Sequence, residues 1–128
     1  MNTKSTDPVN NNRPLIVVVD GSPDEMCLIS ESLKNSGYRV LGYADPEKGY
    51  SRIMQEHPAL AIIDSHIAYK GGVDLIDKIG DEESLEGMPV IAVVTGAGEA
   101  DSVGARADVF LARPFDSETL LQTVNGLI

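Results

Sequence analysis

The feature that most constrains this chain is an alternation: short runs rich in β-branched apolar residues, each followed by a stretch with helical periodicity. The apolar runs lie at residues 15–19, 39–43, 60–63, 90–94 and 109–111, with the lengths and composition of β-strands. The first, third and fourth are almost wholly apolar, as parallel strands covered on both faces must be. Arg39-Val40-Leu41-Gly42-Tyr43 is mixed, which an edge strand tolerates. Strict strand-helix alternation with short connections demands right-handed crossovers, a parallel sheet and helices on both faces. The expected fold class is α/β, a doubly wound five-stranded parallel sheet.

The helix signals between the strands are local. Ser22-Pro23-Asp24-Glu25 reads as a capping box with proline at the first helical position; Ile29 and Leu33 follow at helical spacing, and Gly37 supplies the stop. Asp45-Pro46 opens a second helix that ends before Pro58. Residues 73–79 form a third, and its exit over residues 80–87 reads as a loose acidic segment. Residues 99–106 hold only a short fourth helix, and residues 117–127 place Leu120, Leu121 and Val124 on one face of a fifth. Residues 1–13 have almost nothing to bury and read as a flexible N-terminal arm, which leaves residues 14–128 as the folded domain.

Composition removes several function classes. A chain of 128 residues with 42% apolar content supports one core and one domain. No apolar run approaches the roughly 18 residues that span a bilayer, and the polar start is unlike a secretory signal, so a cytoplasmic protein without membrane contact is expected. The 20 acidic against 10 basic residues give a formal charge of −10, which repels nucleic-acid backbones and argues against direct nucleic-acid contact. Cys27 is the sole cysteine. It excludes an internal disulfide or a cysteine-based metal site, and is read as small apolar filler in the first helix.

In open α/β sheets ligands bind outside the carboxyl ends of the strands, at the crevice where strand order reverses. Four polar residues follow four of the strands: Asp20, Asp64, Thr95 and Arg113. All should converge on one rim. Two carboxylates suit a hard cation such as Mg²⁺, while a hydroxyl and a guanidinium suit phosphoryl oxygens. Any one of these residues alone reads equally well as a turn or cap residue.

Val-Val-Val-Asp20, Ile-Ile-Asp64, Val-Val-Thr95 and Arg113-Pro114-Phe115, in that order on this alternation, resemble the receiver domain of two-component response regulators. The resemblance covers residues 15–128. It implies the flavodoxin-like strand order 2-1-3-4-5 and a phosphoryl group passing from a histidine kinase or phosphotransfer protein to Asp64, assisted by Mg²⁺ held at Asp20 and Asp64. It further implies that Thr95 closes on the phosphoryl group, that the rotamer of Phe110 follows that closure, and that the bond before Pro114 is cis. The partners implied are that donor and an output protein or output domain; dimerisation is left open. The protein would be a signalling module, not an enzyme. An aspartate-nucleophile phosphatase would need a second acid two residues beyond its nucleophile after the first strand, and Asp20-Gly21-Ser22 lacks it.

Departures from the family pattern are equally informative. Receivers usually carry two adjacent acids after the first strand; here Gly21 follows Asp20, which should weaken the metal site. Asp24 and Glu25 read as helix-capping and dipole-complementing residues rather than substitute ligands. Arg113 stands where the family has lysine, and a planar fork is not a conservative replacement for an ammonium at a phosphate site. Two uses of Arg113 are open: a phosphate contact, or an ion pair with Asp64 or Asp20 that replaces the metal. The loop Ser65-His66-Ile67-Ala68-Tyr69-Lys70-Gly71-Gly72 lacks the proline common at Ala68 and the acid common at Gly71, but keeps the glycine at Gly72. His66 lies where family members tune dephosphorylation, although an exposed loop histidine explains it as well; with His57 at the far end of the second helix, no histidine metal site is expected. Two functions follow, a receiver phosphorylated on Asp64 that switches partner binding, and a phosphorylation-independent pseudo-receiver acting as an interaction module.

Overall fold

Side-chain alternation along the strands decides which helix covers which face of the sheet. The computed structural model describes residues 13–68 and 70–128. Strands β1 (Leu15–Val19), β2 (Arg39–Tyr43), β3 (Leu60–Asp64), β4 (Val90–Val94) and β5 (Val109–Ala112) form one parallel sheet in the order β2-β1-β3-β4-β5. Helices α1 (Pro23–Asn35), α2 (Pro46–Glu56), α3 (Gly71–Asp81), α4 (Ala97–Val103) and α5 (Ser117–Asn125) alternate with the strands. Ile16, Val18, Ile62, Ile91 and Val93 point to one face and are sealed by Ile29 and Leu33 of α1 and Leu120 and Val124 of α5. Val17, Val19, Ile63, Ala92 and Val94 point to the other, under Ile53 of α2, Leu75, Ile76 and Ile79 of α3, and Val103 of α4. Each fully buried Ile or Leu contributes about 2 kcal/mol, and the two layers together are the core.

The expected fold class and strand order are those observed. Helix α1 starts at the Ser22 cap and ends in a Schellman-type turn: Gly37, at φ +97°, follows the helix, and the N–H groups of Tyr38 and Gly37 donate to the carbonyls of Leu33 and Lys34. Asp45 caps α2 and Asp116 caps α5, each accepting a backbone N–H.

Boundaries differ where tertiary contacts outweigh local signals. β3 runs on through Asp64, because Ser65 N–H still donates to the Val93 carbonyl. β5 extends to Ala112 and α5 stops at Asn125. α3 is longer than expected at both ends, since Gly71 and Gly72 belong to its first turn. The acidic exit is not loose throughout: Glu83–Leu85 forms a 3₁₀ turn pinned by buried Leu85 and by Glu82, whose carboxylate accepts from Ser84. α4 begins earlier than expected and ends at Val103, the remainder winding into a 3₁₀ turn over Gly104–Arg106. Cys27 is exposed on α1, with its thiol on the Glu31 carboxylate at 3.3 Å, and is not core filler. The anticipated N-terminal arm lies, apart from Arg13, outside the described residues, as does Tyr69. No helix among the described residues is long and apolar enough to cross a membrane.

Candidate functional site

Parallel strands deliver their carboxyl ends to one rim, so the residues that end them meet there. Asp20 follows β1 with its N–H on the Tyr43 carbonyl, Asp64 closes β3, Thr95 follows β4, and Arg113 follows β5 with its N–H on the Val94 carbonyl. The Arg113-Pro114 peptide bond is cis, as expected. Arg113 is the hub. Its Nη2 donates to Asp64 Oδ1 at 2.9 Å and to Glu25 Oε1 at 2.8 Å, its Nε to Glu25 Oε2 at 2.9 Å, and its Nη1 to Thr95 Oγ1 at 3.0 Å. Hydrogen bonds to charged groups contribute about 1.5–3 kcal/mol each, and the fork geometry fixes direction as well as strength.

The ion pair anticipated for Arg113 therefore forms with Asp64 but not with Asp20; its second partner is Glu25, which sequence reasoning assigned to capping. Only half of the capping box is present. Glu25 N–H donates to Ser22 Oγ at 3.2 Å, but Ser22 N–H is already taken by Asp20 Oδ1 at 2.8 Å, which leaves the Glu25 carboxylate to reach across to Arg113. Burial works against the charge on Glu25, yet the Arg113 fork and the adjoining Asp20 bring its carboxyl below the usual range. Glu25 first, and then Asp64, raise the guanidinium further above its ordinary range, against the burial that lowers it.

Asp20 is the innermost carboxylate, 2% exposed, and among the described residues its Oδ2 has no hydrogen-bond partner. Burial, then the neighbouring Glu25 carboxylate, push its pKa up to about 8, with the Ser22 N–H partly offsetting them. The unfolded carboxyl releases its proton near 3.8 and the folded one near 8. Between those values the folded state holds more protons, so this group's contribution to stability declines as pH rises. Glu25, with a depressed pKa, contributes the opposite slope at more acid pH. Asp20→Asn should accordingly stabilise the chain by about 1–3 kcal/mol at pH 8 and by less at pH 5, read from urea midpoints. Equal shifts at both pH values would show that Asp20 does not titrate in this window.

Asp64 is 8% exposed, and its Oδ1 also accepts the His66 N–H at 3.0 Å, which sets the turn out of β3. The His66 residue is exposed on that turn. Two further residues of the rim escaped sequence reasoning. Ser65, almost fully buried, donates its hydroxyl to Glu99 Oε1 at 2.8 Å, and the same oxygen accepts Thr95 N–H at 3.1 Å. Neither carries a sequence signal beyond a polar residue beside a strand end and an acid in a short helix. Phe110 stands on β5, 41% exposed, on the sheet face opposite Leu111.

The donor set fits a divalent cation at two carboxylates, Asp20 and Asp64, and the unpartnered Asp20 Oδ2 is a hard oxygen suited to one. Among the described residues no group of three or more His, Cys, Asp or Glu is placed to hold a metal. Gly21 supplies no side chain and Glu25 is committed to Arg113.

The response regulator receiver domain model matches residues 16–125. Protein PilH of Pseudomonas aeruginosa is 30% identical over 116 residues, covering 88% of this chain and 96% of that protein. The DNA-binding dual master transcriptional regulator RpaA of Synechocystis is 27% identical over 118 residues, covering 90% of this chain but 49% of that protein. Among solved structures, the chemotaxis response regulator CheY4 of Vibrio cholerae aligns with a TM-score of 0.82 over 91% of this chain and 100% of that one, at 22% identity, a likeness of fold.

Proposed function

The chain belongs to the response regulator receiver domain family, a family of signalling modules of two-component systems rather than enzymes, and from that premise we propose that it accepts a phosphoryl group on Asp64. Receiver domains interact with histidine kinases and with output domains. The donor proposed here is a histidine kinase or phosphotransfer protein, and the response is a change in the surface offered to an output protein or domain.

One observation carries the reading. The Arg113 guanidinium links the Asp64 carboxylate to the Thr95 hydroxyl at the rim, its Nη2 donating to Asp64 Oδ1 at 2.9 Å and its Nη1 to Thr95 Oγ1 at 3.0 Å. An Asp64 oxygen attacks phosphorus, the acyl phosphate bond forms, and the bond from phosphorus to the donor's imidazole nitrogen breaks with the electron pair leaving on nitrogen. Arg113, held on the Asp64 carboxylate by Nη2 and on the Thr95 hydroxyl by Nη1, places a guanidinium beside the acceptor, where it would offset charge on the phosphoryl oxygens. Receiver domains generally bind Mg²⁺ at the acidic site; here Asp20 and Asp64 would hold it, where it would offset charge building on the transferring group. The proposed roles of Phe110 as the aromatic that follows Thr95, and of His66 as the side chain beside an attacking water, extend the same reading. Residues 14–128 are the proposed receiver unit.

Two carboxylates make a weak site, and Gly21→Asp tests this. A Cβ at Gly21 would meet only the Ile67 side chain, at 3.4 Å, an ordinary contact. The added acid should raise Mg²⁺ affinity on the order of tenfold, read by isothermal titration. Unchanged affinity would place the cation elsewhere.

A specific observation also supports a second reading. The Arg113 fork on Glu25 ties Asp64, Thr95 and α1 together without metal or phosphate, as a phosphorylation-independent interaction module would require. An amide NMR titration with Mg²⁺ and fluoroberyllate, a phosphoryl mimic, separates the two. Saturable shifts at Asp64, Thr95, Gly96 and Phe110 that need both additions are expected. A well-dispersed spectrum that does not respond would favour the interaction module.

A further inference from the structure

Thr95 is the rim residue with the least apparent support. It is exposed and followed by Gly96, Ala97 and Gly98, where a Cβ on either glycine would meet nothing within 4 Å. The helix that follows, α4, is short, and its cap Gly96 offers no side-chain hydrogen bond. A loop of this kind would leave the hydroxyl poorly placed, yet Thr95 Oγ1 lies 3.0 Å from Arg113 Nη1.

Glu99 accounts for the placement. It is the third residue of α4, where a glutamate ordinarily reaches back to the N–H of the capping residue. Here it reaches one residue further, to Thr95 N–H, and the same Oε1 accepts the hydroxyl of Ser65. Capping alone needs no partner on another strand. Ser65 directly follows Asp64, is almost fully buried, and is fixed to β4 by its N–H on the Val93 carbonyl. Burial opposes the charge on Glu99, but the hydrogen bonds from Ser65 and Thr95, with His66 and Arg113 nearby, hold its carboxyl below the usual range.

From this bridge we infer that Glu99 is a positioning residue that sets the Thr95 hydroxyl against the phosphoryl site by tying Thr95 N–H to the Ser65 hydroxyl. The role rests on the acceptor reading of Asp64 and deepens it. The loop bearing Thr95 is anchored to the residue next to the acceptor before any phosphoryl group arrives, so binding of that group pays little ordering entropy at this loop. Loss of the bridge should act on the stability of the phosphorylated state and leave the attack by Asp64 untouched, because the hydrogen bonds of Glu99 go to Ser65 and Thr95 and not to the Asp64 carboxylate.

The test compares wild type, Glu99→Ala, Glu99→Gln and Ser65→Ala on the full chain, by fluoroberyllate affinity in the presence of Mg²⁺ and by the amide line widths of residues 95–98 in the free protein. Glutamine keeps the accepting oxygen, so Glu99→Gln should bind within about twofold of wild type. Glu99→Ala should bind about tenfold more weakly, the weight of a charge-assisted hydrogen bond, and should broaden the free-state signals of residues 95–98. Ser65→Ala, which frees only the far end of the bridge, should move both readouts the same way by a smaller amount. Wild-type binding matched by Glu99→Ala and Ser65→Ala, with unchanged line widths, would overturn the positioning role and leave the acceptor reading standing. Failure of wild type to bind would overturn the acceptor reading and this role with it. A lowered melting temperature in Glu99→Ala with unchanged affinity also counts against the role, since a merely structural contact would produce that pattern.

Discussion

Asp64→Asn is expected to reduce phosphoryl uptake from a small phosphodonor such as phosphoramidate below detection while leaving the fold in place. An asparagine oxygen can still accept from His66 N–H and from Arg113 Nη2, the two contacts that orient the Asp64 side chain. Arg113 also keeps its fork on Glu25 and its hydrogen bond to Thr95. The lost property is nucleophilicity: a neutral amide oxygen does not displace the donor's nitrogen from phosphorus at a useful rate, so uptake should drop by at least about a thousandfold. Intact-mass spectrometry after exposure to the phosphodonor reads the result, with circular dichroism confirming the fold. Uptake that persists in the variant would place the acceptor on another residue.

The largest effect on stability is expected at Gly72. A Cβ there would lie 2.0 Å from the Asp64 carbonyl oxygen and 2.7 Å from the Ser65 carbonyl carbon, both backbone atoms that no rotamer change can remove. Gly72→Ala must lift the first turn of α3 away from the end of β3, and should cost about 3 kcal/mol, or about 10 °C in melting temperature for a chain of this size. Gly87 offers the contrast: nothing lies within 4 Å of a Cβ there, but its φ of +88° makes the strain purely conformational, so Gly87→Ala should cost nearer about 1 kcal/mol. Equal losses at the two positions, measured by thermal unfolding, would show that the close approach of α3 to β3 is not maintained in solution.

That approach also shows where reading the sequence succeeds and where it stops. The strands were legible because β-branched runs end abruptly at polar residues, and parallel topology then carries Asp20, Asp64, Thr95 and Arg113 to one rim. The first turn of α3 was not, because Gly71-Gly72 reads locally as loop, and only contact with the end of β3 makes it helical. Glu25 was misread for a related reason. The local pattern offers it a partner at Ser22 N–H, and only the fold shows that Asp20 has already taken that donor. Glu99 escapes for the same reason: its hydrogen bond to Ser65 joins residues far apart in the chain, which no local pattern shows. Cys27 is a different kind of error. Its phase relative to Ile29 and Leu33 puts it on the outer face of α1, so helical geometry alone would have excluded it from the core.

The exposure of Cys27 has a practical consequence. It is the chain's sole thiol, and it lies two residues beyond Glu25 on α1. A maleimide fluorophore or nitroxide can therefore be attached without introducing or removing any cysteine. The hydrogen bond to Glu31 raises the thiol's pKa, so coupling will be faster in mildly alkaline buffer, where more thiolate is present. A probe there would report on the surroundings of α1 by an optical or magnetic signal on the native sequence.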